Sequence, residues 1–504
     1  MKKIYALLLF HLPVMAACAA QLFIPMDETQ KNHLKAYGAV YHSIAKDDPV
    51  TLLLNYHGGS YMLNATSDME QYLTSRGISY KNISDAESDA VLSDIKSDPM
   101  MGIVKLEVMP KIAVYGSKDE GELDDAVVNV LRYAEIPYDL VYDPEVLSID
   151  LNKYNWIHMH HEDFTGQHGK FETQYGNAAW YKKSVASDEK IAHDYGYASV
   201  QSLKLDVAKK LKEYVKNGGH LFGMCSATDS YDIALAMEGV SLDDVYNKNI
   251  SDLDIKHKLN YDNTFAFTNF MLKRDRKEYE FSDIDTYETR YMQVCERNDK
   301  FKLQTIPASE RDLCMITQDH VRSIKGFWGM TCGFQIQFIK PDAHILATTD
   351  NTSEARYLYG NFGKGSWTFF AGHDPEQYQH HMEDAASDLS LTPNSPGYRL
   401  ILDNVFLSAV KRENTQSVSM NNVNIFPNPV VTNGMLMINA GMAQASQVRI
   451  RLYSLSGQLL VDRSMDANAG ENELKFDMSG IASGLYQLEF TAGTEKKNFK
   501  VVVQ

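Results

Sequence analysis

Apolar and polar positions alternate in blocks along the chain, and the blocks predict alternating strands and helices over residues 21–410. Short apolar runs predict buried strands, for example at 111–115, 156–160 and 220–224. Longer stretches with one apolar helical face separate them, as at 200–217. Strands that alternate with helices of this length are typical of a parallel sheet covered on both faces. We therefore predict an α/β fold with a doubly wound, mostly parallel sheet.

Two regions add detail to this pattern. Residues 50–55 predict a buried strand. It is followed by a Gly-Gly turn, a helix over 67–75 and a strand over 78–80. Together these elements indicate a β-α-β-like unit. Residues of about 240–340 are rich in Asp, Lys, Tyr and Phe and lack the regular rhythm. We interpret them as an insertion that covers the sheet edge.

The C-terminal part of the chain has a different pattern. Residues 411–422 are polar and unpatterned, which indicates a linker. Residues 423–504 contain short alternating strands separated by turns such as Ser456-Gly457 and Ala492-Gly493. This arrangement predicts a separate, small, all-β sandwich.

The net charge of the chain argues against one class of binding partner, the nucleic acids. The 504 residues carry a net charge of −17, and residues 421–504 contain equal numbers of acidic and basic side chains. The excess of negative over positive charge therefore lies in residues 21–420. Such a surface repels phosphate backbones, so we expect no nucleic-acid partner.

The first twenty residues predict a secretory signal peptide. Lys2-Lys3 is followed by an apolar stretch over 4–15 and by small residues up to Ala20. No other apolar run approaches the length that a membrane-spanning helix needs. We expect a protein that leaves the cytoplasm and has no transmembrane segment.

Four cysteines remain after the signal peptide: Cys225, Cys295, Cys314 and Cys332. Cys295 and Cys314 flank a polar segment and could pair in an oxidising compartment. The pairing of Cys295, Cys314 and Cys332 is left open by the sequence.

The segment Gly223-Met224-Cys225 has the pattern of a nucleophile elbow. An apolar strand ends at the cysteine and a helix-compatible segment follows, so the helix dipole would point at the thiol. An exposed thiol at a helix N-terminus ionises easily. The alternative is a buried cysteine packed as a small apolar residue.

A second group of candidate residues follows the strand at 156–160. His158 and His160 share one face of that strand, because side chains two residues apart point the same way. With His373, and with His380 or His381, they could hold Zn²⁺ through imidazole nitrogens. The alternative is that the histidines and carboxylates at this strand end form hydrogen bonds with one another. In that case we expect no cofactor.

The carboxyl ends of parallel strands are where ligands bind. We therefore expect Cys225, His373 and the polar residues after these strands to meet at one rim. The candidate substrate-binding residues are His160, His161, Glu162, Asp163, Thr228, Asp229 and Asp374.

Residues 423–504 resemble the type A sorting domain of the type IX secretion system. The motifs that carry the resemblance are Phe426-Pro427-Asn428-Pro429, Leu452-Tyr453-Ser454-Leu455-Ser456-Gly457-Gln458, Gly484-Leu485-Tyr486 and Lys500-Val501-Val502-Val503. The resemblance implies contact with the type IX machinery and export through the periplasm to the outer-membrane surface or the medium.

Residues 21–410 resemble the class I glutamine amidotransferase-like superfamily, including its trehalose-utilisation-protein-like branch, and a bacterial family often labelled asparagine synthetase B. The matching motifs are Ile24-Pro25-Met26-Asp27, His160-His161-Glu162-Asp163-Phe164-Thr165-Gly166, Gly223-Met224-Cys225-Ser226-Ala227-Thr228-Asp229, Gly363-Lys364-Gly365 and Gly372-His373-Asp374-Pro375-Glu376. The resemblance implies a flavodoxin-like sheet with Cys225 as nucleophile, His373 as base and Glu376 orienting His373, and amides after Cys225 forming an oxyanion hole.

Three functional hypotheses follow from these residues. The first is an exported cysteine-dependent hydrolase of amide-type bonds. The second is a secreted binding protein that holds a glycan or peptide at the rim with aromatic residues from 164–180. The third is a metal-dependent hydrolase that uses the histidines. Synthetase activity is not expected, because Gln21 stands where an N-terminal nucleophile would need cysteine and no Ser-Gly-Gly pyrophosphate loop is present.

Overall fold

The structure is a computed structural model. It describes residues 21–117, 125–278, 280–286, 300–327, 329–350, 352–377, 385–410, 420–443, 445–454, 459–493 and 495–504. The chain divides into two compact units, Met1–Lys411 and Arg412–Gln504. The predicted signal peptide, Cys295, His380 and His381 lie outside the described residues.

The first unit begins with a five-stranded antiparallel sheet. Its elements are β1 Gln21–Ile24, α1 His33–Ile44, β2 Val50–Leu54, β3 Ser60–Asn64, α2 Ser67–Ser75, β4 Lys81–Ile83, α3 Asp85–Ser97 and β5 Gly102–Leu106. The strand order is β4-β1-β3-β2-β5 and every pairing is antiparallel.

The strand predicted at 50–55 and the helix predicted over 67–75 are confirmed by β2 and α2. The β-α-β-like arrangement predicted for residues 50–80 is wrong. The Gly-Gly turn closes a hairpin instead, and β3, which we did not predict, pairs with β2. Asn55, His57, Gly58 and Gly59 all have positive φ in this turn. A Cβ at Gly58 would lie 2.2 Å from the Met26 carbonyl oxygen, so the turn needs glycine there.

The main sheet follows. Its first half contains β6 Ile112–Tyr115, α4 Ala126–Tyr133, β7 Asp139–Val141, α5 Asp143–Ser148, β8 Trp156–Met159, α6 Glu172–Tyr175, α7 Ala179–Asp194, α8 Val200–Lys216, β9 His220–Met224 and α9 Ser226–Ala236. Its second half contains α10 Leu242–Tyr246, α11 Asp252–Lys258, β10 Lys300–Leu303, α12 Arg311–Met315, β11 Ser323–Lys325, β12 Phe334–Gln335, β13 His344–Thr349, β14 Glu354–Phe362, β15 Gly365–Phe370 and α13 Pro396–Leu407.

This sheet is mixed and not mostly parallel. The order is β11-β10-β13-β14-β15-β9-β8-β6-β7, and β12 pairs with β14. The pairings from β15 to β7 are parallel, whereas those from β11 to β15 and that of β12 are antiparallel. Strands from the predicted insertion, β10 and β11, join the sheet and extend its edge, because their backbone groups pair with β13 and with each other.

Apolar side chains cover both faces of the parallel strands. On one face, Val114, Trp156 and Phe222 pack in a core shared with α1, α4 and α13. On the other face, Ile157 and Leu221 pack in a core shared with α8 and α9. Side chains alternate between the two faces along each strand. His158 and His160 therefore lie on the same face as Trp156, the face that carries α4.

The second unit consists of β16 Met420–Phe426, β17 Met435–Met442, β18 Ser446–Ser454, β19 Leu459–Ala467, β20 Gly470–Asp477, β21 Gly484–Ala492 and β22 Glu495–Val503. Two antiparallel sheets, β16-β17-β20 and β19-β18-β21-β22, enclose one apolar core that includes Ile438, Ile450 and Phe490. Facing antiparallel sheets around a shared core are the arrangement of a β-sandwich.

Candidate functional site

The turn between β9 and α9 has the strained backbone of a nucleophile elbow. Cys225 has φ of +49° and ψ of −138°, a conformation that L-residues rarely adopt. Its side chain is 1% exposed and packs within the apolar core of the α8–α9 face. The sequence pattern therefore located the turn, but the thiol lies below the surface.

The Cys225 thiol is covered by residues 329–331. The backbone N–H of Met330 donates to Cys225 Sγ over 3.1 Å. A Cβ at Gly329 would lie 2.9 Å from this sulfur, so any other residue there would force the covering segment or its neighbours to shift. Burial raises the pKa of the thiol to about 12, although nearby backbone N–H groups act in the opposite direction. The thiol is thus neutral at pH 7, unlike the easily ionised group expected from the pattern.

The residues after Cys225 use their polar groups within the fold. The N–H of Ala227 donates to the His160 carbonyl over 2.9 Å, and the N–H and hydroxyl of Thr228 both donate to the Cys225 carbonyl. Asp229 accepts a hydrogen bond of 2.7 Å from the Thr331 hydroxyl. Two of the amides expected to form an oxyanion hole, those of Ala227 and Thr228, are therefore engaged by the protein itself. Asp229 holds the covering segment.

His373 follows β15 and approaches the same place. Its backbone nitrogen lies 2.9 Å from the position that a Cβ at Gly329 would occupy, as the Cys225 sulfur does. Its ring packs against other histidines: it lies 4.3 Å from the His160 ring and stacks almost parallel to the His161 ring at 5.7 Å.

Asp374 and Glu376, which follow His373, serve the local turn. Asp374 accepts hydrogen bonds from the Glu376 and Gln377 amides and from the Ser387 hydroxyl. Burial raises the pKa of Glu376, while a hydrogen bond from Ser395 lowers it. Asp374 and Glu376 therefore have structural contacts, Asp374 with Ser387 and Glu376 with Ser395.

The histidines after β8 form two overlapping clusters. One ring nitrogen each from His160, His161 and His373 lie within 4.8 Å of one another. The same spacing joins His160 to His158 and Asp125, which are buried. His160 belongs to both clusters, and within the described residues its Nε2 atom is buried without a hydrogen-bond partner.

Asp125 is a site residue that sequence reasoning missed. It caps α4 by accepting the Val127 and Val128 amides over 2.7 and 3.1 Å. It also accepts from His160 Nδ1 over 3.1 Å. Burial by itself raises its pKa, but the imidazoles of His158 and His160 hold the pKa of Asp125 well below its usual range. The only signal in the sequence was an acidic residue before the apolar run of α4, which indicates a cap and not a site.

The two acidic residues after His161 have different surroundings. Glu162 accepts the His160 backbone N–H over 3.0 Å, and its other oxygen would meet a Cβ at Gly116 at 3.3 Å. Burial raises its pKa. Asp163 accepts from the Thr165 amide and hydroxyl and so stabilises the following turn. Glu162 therefore faces the end of β6, whereas Asp163 has a structural contact.

The histidine clusters lie where the winding of the parallel strands reverses. From β6, the chain passes to β7 on one side and then to β8 and β9 on the other. Ligands in open α/β sheets bind outside the carboxyl ends of the strands at such a reversal. A surface cavity of about 560 Å³ lies elsewhere, beside β7, and none of the candidate residues lines it.

Comparison with known proteins identifies only the second unit. Residues 424–504 match the family described as "Secretion system C-terminal sorting domain". The sorting domain is that of the type IX system, so the protein is exported through the periplasm and is secreted or displayed on the outer-membrane surface. Among the described residues, no helix has both the length and the apolarity needed to cross a bilayer.

The first unit, Met1–Lys411, is called the main unit below, and it has no such match. No curated protein sequence matches the chain, and no family match supports the amidotransferase-like resemblance of residues 21–410.

Similarities to solved structures are weak. The exo-β-1,4-mannosidase Op5Man5 from Opitutaceae bacterium strain TAV5 is 11% identical over 69% of this chain and 41% of its own, with a TM-score of 0.28. A catalytic mutant of the β-galactosidase Gan42B from G. stearothermophilus is 9% identical over 73% and 40%, with a TM-score of 0.26. Latent PorU from Porphyromonas gingivalis is 20% identical over 16% and 9%, with a TM-score of 0.14. At these TM-scores the similarities assign neither fold nor activity.

Proposed function

We propose that the exported main unit is a metal-dependent hydrolase whose metal ligands are His160, His161 and His373. The observation that carries the proposal is that one ring nitrogen each from His160, His161 and His373 lies within 4.8 Å of the others. The Nε2 atom of His160 is buried and has no hydrogen-bond partner among the described residues.

Three imidazoles are a suitable ligand set for a catalytic zinc ion. Zn²⁺ binds imidazole nitrogen at about 2.0–2.1 Å, and catalytic sites keep one position of the tetrahedron for water. Small movements of the rings would bring three nitrogens spaced within 4.8 Å to such a centre. His161 is only half-buried, unlike His160 and His373, so water and substrate would enter from its side.

The chemistry that such a site supports is hydrolysis of an amide or ester. A bound metal lowers the pKa of its water ligand to about 7. We assign Glu162 as the base that accepts the proton of this water. The water oxygen forms a bond to the carbonyl carbon, the C–N or C–O bond breaks, and the proton passes from Glu162 to the departing amine or alcohol.

Metal titration tests the ligand assignment. Chelator-treated protein is titrated with Zn²⁺ or Co²⁺, and we expect one ion per chain. His161→Ala and His373→Ala should each weaken binding by more than the roughly 10- to 100-fold that follows loss of an outer-shell partner. His193→Ala is the matched control, because its ring is exposed on α7 and belongs to neither cluster. Wild-type protein that binds no metal would refute the proposal.

The assignment of Glu162 has a separate test. Glu162→Gln keeps an acceptor for the His160 amide but cannot take a proton. We expect kcat on amide and ester substrates to fall by about 10²–10⁴-fold with metal content unchanged. Metal binding without turnover of any such substrate would instead favour a binding protein.

The cysteine-dependent hydrolase retains one supporting observation, the strained conformation of Cys225. Turnover in that case requires the covering segment 329–331 to leave the sulfur. Inactivation of metal-loaded protein by iodoacetamide, with Cys225→Ala equally inactive, would favour this alternative over the metal site.

A further inference from the structure

The two nitrogens of the His160 ring face different partners. Nδ1 lies 3.1 Å from Asp125 Oδ1. Nε2 is buried without a hydrogen-bond partner among the described residues, and the ring as a whole lies 4.3 Å from the His373 ring. A carboxylate accepts hydrogen bonds and cannot donate them, so Nδ1 carries the proton and Nε2 carries the lone pair.

The backbone holds the Asp125 carboxylate in place. Oδ1 accepts the Val127 and Val128 amides at the start of α4, where the helix dipole favours a negative charge. Asp125 is 7% exposed and therefore has little freedom to turn away from His160. The orientation of the His160 ring is thus coupled to the first turn of α4.

His158 completes the arrangement from the opposite side. Its Nδ1 donates to the Phe222 carbonyl over 3.1 Å, and its ring packs against Trp156 and Phe222. Its Nε2 points at Asp125 Oδ2 from 3.5 Å. His158 is fully buried, so this contact closes the inner side of Asp125.

We infer that Asp125, supported by His158, is a positioning residue for the proposed metal centre. It fixes the tautomer and the ring angle of His160, so that Nε2 is presented to the ion. This inference rests on the proposed function. Carboxylates that accept the second N–H of a ligand histidine act in this way in zinc sites, and their loss typically weakens metal binding by 10- to 100-fold.

The inner cluster of Asp125, His158 and His160 is also spaced as a ligand set. We assign it the orienting role because Asp125 Oδ1 already accepts three hydrogen bonds, one of them from His160. All three residues are also buried, which leaves no route for a water to complete a metal's coordination.

The test compares Asp125→Asn with wild type in the full-length protein. Asparagine is as good a helix cap as aspartate, so α4 should remain capped while the charge on the His160 partner is lost. We expect the Kd for Co²⁺ to rise about 10- to 100-fold and the visible absorption of bound Co²⁺ to shift, because the His160 ring is held less firmly. His158→Gln should change the Kd and the Co²⁺ absorption in the same direction as Asp125→Asn, but by a smaller amount.

Ser199→Ala provides the control. Ser199 caps α8 through its side chain and belongs to neither histidine cluster. We expect it to lower Tm and to leave the Kd and the Co²⁺ spectrum unchanged.

The outcomes separate the inference from the proposed function. No metal binding by wild type refutes the proposed function, and the inference with it. Wild-type binding that Asp125→Asn leaves unaltered in Kd and spectrum refutes only the inference. Two ions per wild-type chain, one of which is lost in Asp125→Asn, would show that the inner cluster is itself a metal site and would also overturn the positioning role.

Discussion

The carboxyl ends of β8 and β9 lie side by side, yet they present their reactive groups to different surroundings. Cys225, at the end of β9, is enclosed by the core and by the Met330 amide. The histidines at the end of β8 lie close to the His373 ring, and one of them, His161, is only half-buried. The motif at Cys225 is the more recognisable in the sequence. The comparison shows that a motif locates a turn, whereas burial and neighbouring donors decide whether its side chain can react.

The largest expected difference between the two strand ends concerns thiol reactivity. The pKa of Cys225 rises from 9.0 to about 12 because the group is buried. At pH 8 its thiolate fraction is then roughly a thousandfold smaller in the folded protein than in the unfolded chain. Mass spectrometry after iodoacetamide treatment should find Cys225 labelled in urea and unlabelled in native protein. Native labelling at the rate of the unfolded chain would mean that the covering segment opens freely.

The second prediction concerns turnover at the two strand ends. His373→Ala removes a proposed ligand and should lower kcat/KM by at least about 100-fold, the scale of losing one contact that stabilises a transition state. Cys225→Ala should keep kcat/KM within a few-fold of wild type. The opposite ranking of the two variants would move the chemistry from the histidines to the thiol.

The third prediction tests the buried carboxyl that holds the covering segment. Burial raises the pKa of Asp229 from 3.8 to about 7. The folded state therefore binds a proton that the unfolded state has lost between these pH values, and stability falls as pH rises from about 4 to 7. The slope approaches about 1.4 kcal/mol per pH unit for one group.

Asp229→Asn should flatten this part of the stability profile, measured by urea unfolding at several pH values. Asp89→Asn is the control, because Asp89 is exposed on α3. A profile equally steep in Asp229→Asn would show that other groups cause the decline.

The smallest expected effect distinguishes the packing of the two strand ends. A Cβ at Gly329 would lie 2.9 Å from Cys225 Sγ and 2.9 Å from the His373 nitrogen, whereas a Cβ at Gly116 would meet only Glu162 Oε1, at 3.3 Å. Gly329→Ala should lower the free energy of unfolding by about 1–3 kcal/mol, as overpacking does. Gly116→Ala should cost less. Equal losses would mean that the segment over Cys225 yields as easily as the Glu162 side chain.

Several elements of the fold were predictable because they depend on neighbours in the chain. Apolar runs predicted β6, β8 and β9, and the one-sided pattern of 200–217 predicted α8. The turn at Cys225 also follows from local pattern, since a strand, a bend and a helix occupy consecutive residues. The C-terminal motifs were sufficient to identify the sorting domain, as the family match to residues 424–504 confirms.

Other features depend on long-range pairing and were missed. The antiparallel pairing of β2 with β3 required the Gly58-Gly59 turn to close a hairpin, and the same glycines suit many turns. The antiparallel half of the main sheet depends on β10 and β11, which reach its edge from a segment with no regular pattern. Pairing partners of this kind cannot be read from periodicity, because the period reports exposure and not the neighbouring strand.

By itself, the sequence determined several local elements, the position of the turn at Cys225 and the export address. Each of these is encoded by residues that are adjacent or a few positions apart. Only the tertiary structure decided which chemistry those elements support. It brought Asp125, His160 and His373 together from three segments and placed Met330 over Cys225. The physical reason is that pKa, burial and ligand geometry depend on distances between groups far apart in the chain, and folding alone sets those distances.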